Sequence, residues 1–384
     1  MRISTAWPTK SQLTLLKAAL LPPEQAEPHW YQFITEHNLQ ELDHGCTQVL
    51  PMAFINLKDR MKNDINKKIC LSSYKYVWAK NHLLMHDAKT LLSLLNKHGI
   101  DVCVLKGAAF IGHYYPDYGM RVLGDIDLLV KPNQMSALID LLESNQYKIK
   151  SNQDEVNARG LLKLFYARSF VNDRGTDFDI HQYLSPFLVN RDFTKRLWMN
   201  MRPIDLFDIK NLAYVLSPTY QLLHTVLHGL QYAPVSSVRW VVDATNLLNH
   251  HGTYIDWNEL IEVCSTHHLN LPMRQSLDFL SKELQIKIPD DVLLHFKHIK
   301  ITEKDKKYYV HSSNVGFQRT IARIKSSWQH YKSYSFDSTQ KHNIIGFYHF
   351  LLIYLDIKSP WMLLPHITKK TFGVVFRSIK INFK

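Results

Sequence analysis

The chain has 384 residues, 46% hydrophobic and 21% charged, with 13 Gly and 15 Pro, so it exceeds one typical domain and is neither disordered nor fibrous. A formal charge of +12 and a sequence pI of about 9.3 favour anionic partners such as nucleotides, nucleic acid or anionic lipid. No low-complexity tract and no repeat at a fixed period is present.

The first 25 residues lack the continuous apolar core and small-residue cleavage site of a secretory signal. From Ser11 to about His98 apolar residues recur at helical spacing, as in Leu83, Leu84, Leu91, Leu92, Leu94 and Leu95, and Gly99 suits the left-handed position that ends a helix. Residues 1–98 are therefore expected to be a helical segment. The period then changes. Ile100–Leu105 is a short run of branched apolar residues, expected to be a buried strand. Lys106-Gly107 follows, then a short helix from Ala108 to Tyr115 stopped by Pro116. A loop spans Pro116–Gly124, and a second strand spans Asp125–Val130, halted by Pro132.

Asn133 precedes an amphipathic helix, Gln134–Asn145, whose Met135, Leu138, Ile139, Leu141 and Leu142 share one face. A strand over Tyr147–Lys150 and a polar stretch come next. Ala167–Val171 and Thr176–His181 are expected to be two strands joined by the turn Asn172-Asp173-Arg174-Gly175. The order predicts an α/β (α+β) fold, with a small mixed-sheet core over 99–190. Helical spacing returns from Pro218 to about residue 285, predicting a helical domain over 191–295, and 296–384 is a basic, aromatic extension. Its most apolar part, Ile344–Leu355, is far shorter than the roughly 20 residues of a spanning helix, so no transmembrane segment is expected. The cysteines Cys46, Cys70, Cys103 and Cys264 have no metal or redox spacing and suit free thiols in a reducing compartment. A cytoplasmic location follows, at the inner membrane surface if the basic extension docks there.

Nucleotidyl transfer needs divalent metal held by carboxylates. Asp125 and Asp127, two residues apart on a strand, project from the same face and can share metal. Asp179 is the candidate third carboxylate, because Asp177, Asp179 and His181 alternate onto one face of their strand while Phe178 and Ile180 take the other. At Lys106-Gly107-Ala108 a glycine after a strand lets backbone donors approach phosphate, with Lys106 and Arg121 adding charge. Each piece alone has a plainer reading: a solvated strand end, a turn, a surface carboxylate. Their order on these elements favours chemistry. His181 and Asp177 are candidate substrate contacts, with a structural histidine as the alternative at 181. His224 and His228 lie i, i+4 and could share a metal, but Thr225 stands where the zinc-protease helix has Glu, so packing is the better reading, with one of them able to line an acceptor cleft. Trp240 and Asp243 are read as a packing anchor and a polar partner. Lys and Arg interleaved with aromatic residues after Phe296 suit RNA, an anionic membrane surface, or a plain helical cap.

The segments Val104–Phe110, Tyr115-Pro116-Asp117 and Met120–Val130 resemble the signature of the bacterial uncharacterised nucleotidyltransferase family, a branch of the DNA polymerase beta-like superfamily. Leu223-His224, His228, Arg239–Asp243 and Asp256-Trp257 are similar to its downstream pattern, and the resemblance covers about residues 70–265. It implies that Asp125 and Asp127 bind two magnesium ions, with manganese as an alternative, and that Asp179 shares one of them and accepts the proton of the attacking hydroxyl. The wider superfamily has Gly-Ser at the phosphate turn. Here Gly107-Ala108 lacks the hydroxyl and one phosphate contact with it. The expected reaction moves a nucleoside monophosphate from a nucleoside triphosphate such as ATP to an acceptor hydroxyl of a metabolite or sugar, a protein or RNA. The alternatives are an inactive binding module of the same fold, docking on a membrane or a partner, and an RNA-modifying toxin.

Overall fold

The computed structural model describes residues 7–150, 167–185, 188–230, 238–306, 328, 331, 344–354 and 361. The helical spacing of the first hundred residues becomes α1 (Lys10–Leu20), α2 (Pro23–Glu36), α3 (His44–Thr47), α4 (Leu50–Leu57) and α5 (Ile65–Lys97). A capping box starts α1: the Gln12 amide donates to the Thr9 hydroxyl while the Thr9 amide donates to the Gln12 side chain. Gly99, at φ +68°, takes the left-handed position after α5.

Strands β1 (Val102–Val104), β2 (Ile126–Val130), β3 (Lys148–Ile149), β4 (Ala167–Val171), β5 (Asp177–His181), β6 (Arg202–Leu206) and β7 (Ile209–Val215) form one mixed sheet in the order β3-β4-β5-β2-β1-β7-β6. At its centre β2 is antiparallel to β1 and parallel to β5, and β1 is parallel to β7. The strand expected from Asp125 begins one residue later, leaving Asp125 at its mouth. The sheet also runs past residue 190, because β6 and β7 extend it inside the region expected to be helical. Their hairpin turns on Phe207 and Asp208, both at positive φ (56° and 63°). Such a turn is usually announced by Asn or Gly, and neither is present, so the pattern carries no hairpin signal.

Strand alternation gives the sheet two different faces. Val102, Val104, Ile126, Leu128, Val130, Phe170, Phe178 and Ile180 share a core with the buried face of α5 (Met85, Ala88, Leu91, Leu92, Leu95) and with Met135, Leu138, Ile139 and Leu142 of α7 (Met135–Ser144), α6 being the short turn Lys106–Ala109. Cys103, Leu105 and Leu129 join a second core, which contains the N-terminal helices and α8 (Arg191–Met199), α9 (Pro218–Gly229), α10 (Arg239–His251), α11 (Trp257–Thr266), α12 (Asn270–Leu284) and α13 (Asp290–His298). The N-terminal helices thus pack with the later helices: Trp7 meets Trp240 edge-on at 5.6 Å, and Lys17 pairs with Glu283 at 2.9 Å. All four cysteines are buried and free. Most of 296–384 lies outside the described residues, and among those described no helix, including α14 (Ile344–Tyr354), is long and apolar enough to cross a membrane.

Candidate active site

Asp127, Asp179, His181 and Ser169 fall on the sheet face that carries Leu129. Asp127 is the second residue of β2 and has 2% of its surface exposed. Parallel pairing of β2 with β5 sets Asp127 directly opposite Asp179, and β5 carries His181 two residues further on. Asp127 Oδ1 accepts from His181 Nε2 at 3.0 Å and from the Lys106 ammonium. Asp179 accepts from the hydroxyl of Ser169, its opposite number on β4. One carboxylate oxygen each from Asp127 and Asp179 and one imidazole nitrogen of His181 lie within 4.8 Å of one another.

The remaining candidates divide. Lys106 leaves β1 at φ +45° and reaches back to Asp127, while the Leu105 amide donates to the Asp127 carbonyl at 2.9 Å. Asp125, just outside β2, faces the charges of Asp127, Lys106, Asp179 and Arg239. Asp177 instead holds Lys150, at 2.8 Å and 2.9 Å. Arg121 is turned inward: its Nε and Nη2 each donate to Asp243 at 2.8 Å, and the Tyr115 hydroxyl donates to the same carboxylate at 3.1 Å. The fork that the sequence sets against phosphate is therefore engaged by a carboxylate of α10, the polar partner that the sequence expects Asp243 to be. A Cβ on Gly107 would collide with Arg121 Nη1 and Leu123 Cδ1, so this close approach requires glycine. Gly107→Ala is expected to lower stability by about 1–3 kcal/mol in urea unfolding, since the Arg121 fork is fixed and cannot swing aside freely.

Asp125 and Asp127 titrate in opposite directions. Burial and then the charge of Asp127 push Asp125 up to about 6. Burial also works to raise Asp127, yet the Lys106 ammonium and the His181 hydrogen bond outweigh it and hold the group well below the usual carboxylate range. His181 is lowered by burial and by Lys106.

His224 and His228 project from α9 with ring centroids 6.2 Å apart. Among the described residues they gather no third metal ligand. His228 is open to solvent, but so deeply flanked by protein that desolvation and Lys106 lower its imidazole. His224 is buried, and desolvation followed by the charge of Lys106 takes it down to about 3. Unfolding restores an ordinary value near 6.5, so this group's stability is complete above that pH and is lost as pH falls toward about 3. The loss approaches about 1.4 kcal/mol per pH unit, and His224→Gln is expected to flatten that part of the stability–pH profile.

The sequence pattern gave three contributors no role at the site. Asn81, with no exposed surface, donates to the carbonyls of Tyr118 and Arg121 at 2.6 Å each and accepts from the Leu123 amide at 3.2 Å, so α5 holds the loop that leads to Asp125. Its signal is an amide inside the buried stripe Val77-Asn81-Met85. Ser169 had no signal beyond its strand. Arg239, whose Nη1 reaches the Val122 carbonyl at 3.4 Å, becomes a site residue only when α10 packs here.

A family model described as "Uncharacterised nucleotidyltransferase" matches residues 44–284. No curated protein matches. A nucleotidyltransferase-like antigenic protein from Paracoccidioides brasiliensis is similar in structure at 17% identity and a TM-score of 0.33, over 55% of this chain and 96% of that one.

Proposed function

The chain belongs to the uncharacterised nucleotidyltransferase family, and from that premise we propose that it transfers a nucleoside monophosphate from a nucleoside triphosphate to an acceptor hydroxyl, releasing pyrophosphate. The observation that carries this reading is the β2–β5 register, which sets Asp127 against Asp179 beside the Lys106-Gly107 turn.

The donors fit divalent cations: Asp125 and Asp127 are two residues apart at the start of one strand, and Asp179 lies across from Asp127. Asp125, Asp127 and Asp179 would hold two, magnesium or manganese. Bound there, they would neutralise the triphosphate and stabilise the entering and leaving oxygens. The rest falls to the chain. Gly107 and Ala108 offer backbone N–H groups to the phosphates, and Lys106, already at the site, adds the positive charge. Arg121 acts through position, bracing the Gly107 turn against α10. Asp179 takes the acceptor proton as that oxygen bonds to the α-phosphorus and the bond to the β-phosphate oxygen breaks. The catalysis is alignment and electrostatics.

The test incubates the protein with each labelled triphosphate and a cell extract, and follows label into metabolite, lipid, protein and RNA fractions. Transfer is expected into one of these, with pyrophosphate release, and not in the Asp125→Asn, Asp127→Asn double variant. Transfer by that variant at the wild-type rate would overturn the proposal.

A further inference from the structure

We propose that His181 is itself a cation ligand, so that the position formed by Asp127, Asp179 and His181 takes a divalent transition ion in preference to magnesium, while the all-oxygen position at Asp125 and Asp127 serves magnesium. The proposal rests on the nucleotidyl-transfer reading of the same site and deepens it.

The geometry comes from two strands. On β5, Asp179 and His181 fall on one face, and the register brings Asp127 of β2 alongside them. Neighbouring ligands of an octahedral ion with bonds of about 2.1 Å are about 3.0 Å apart, and opposite ones about 4.2 Å. His181 Nε2 and Asp127 Oδ1 are separated by 3.0 Å, and the three ligand atoms by no more than 4.8 Å, so a small adjustment closes the set round one ion. The positive charge now at Asp127 Oδ1 is the Lys106 ammonium, tethered where a cation would bind. An arriving ion releases Lys106, whose next anion is the triphosphate at the adjoining turn.

A buried imidazole changes which ion is favoured. Magnesium takes oxygen ligands and gives up water reluctantly, whereas transition ions accept nitrogen, so one imidazole among two carboxylates discriminates against magnesium.

Manganese(II) is the probe, added at one equivalent to the full nucleotide-free chain. Electron spin echo spectroscopy is expected to show modulation from a directly bonded imidazole ¹⁴N, and calorimetry a manganese affinity about tenfold or more above that for magnesium. In His181→Gln both the modulation and the preference are expected to disappear, and in Asp127→Asn the tight site itself. Tight manganese that is lost in Asp127→Asn but shows no ¹⁴N modulation, that keeps it in His181→Gln, or that binds no better than magnesium refutes the ligand assignment and leaves the transfer reading standing. No uptake of either cation, with or without a nucleoside triphosphate, refutes both.

Discussion

Asp127→Asn is expected to lower nucleotide transfer by roughly a thousandfold or more, because removing one preorganised electrostatic group commonly costs 10²–10³ and this carboxylate borders both proposed cation positions. Asparagine keeps the shape and loses the charge. The Lys106 ammonium, now paired with Asp127 in a largely buried place, would keep a neutral acceptor only. The substitution also changes the response to acid. Asp127 is held below its ordinary value in the folded chain, so its contribution to stability is present above the unfolded value near 4 and is lost as the pH falls through the lower folded one. The variant should therefore lose less stability than wild type on acidification below about pH 4. Single-turnover transfer of labelled triphosphate, with near-ultraviolet circular dichroism as the check on folding, decides the matter. Retention of more than a tenth of the wild-type rate by a folded variant would remove Asp127 from the mechanism.

Arg121→Leu and Asp243→Leu are each expected to cost roughly 3–5 kcal/mol of stability, because each strands a buried charge. The guanidinium and the carboxylate meet through two bonds of 2.8 Å, and Arg121 has 7% of its surface exposed and Asp243 4%. Loss of Asp243 also removes the acceptor of the buried Tyr115 hydroxyl. Replacing both charges together leaves neither stranded, so the double variant should recover much of the loss. Urea unfolding of the four proteins measures the coupling, and strictly additive single effects would show that the pair does not act as a unit. Activity should fall with stability in the single variants, since Arg121 packs on Gly107 and the pair ties the Gly107 turn to α10.

Helix and strand types in 10–150 were legible because their signals are local. Leucines at helical spacing in α5, the glycine after it, and the branched run that became β1 each depend on neighbours a few residues away. The Asp125–Asp127 spacing and the Asp179–His181 alternation were legible for the same reason. β6 and β7 were hidden because Phe207 and Asp208 make the turn without glycine or asparagine, and a seven-residue strand with a mixed face resembles its surroundings. Arg121 was misleading in isolation: an arginine in a loop near a glycine turn suits phosphate equally well until α10 brings up a carboxylate.

The amino-acid pattern alone determined which residues could do chemistry and which face of each strand they would share, because alternation is a property of one strand. Tertiary structure decided that Asp127 stands opposite Asp179, that His181 and Lys106 close on the same oxygen, and that Arg121 turns away to Asp243. Those choices depend on strand register and helix docking, which are set by building two apolar cores from segments far apart in the chain, beyond the reach of any local spacing.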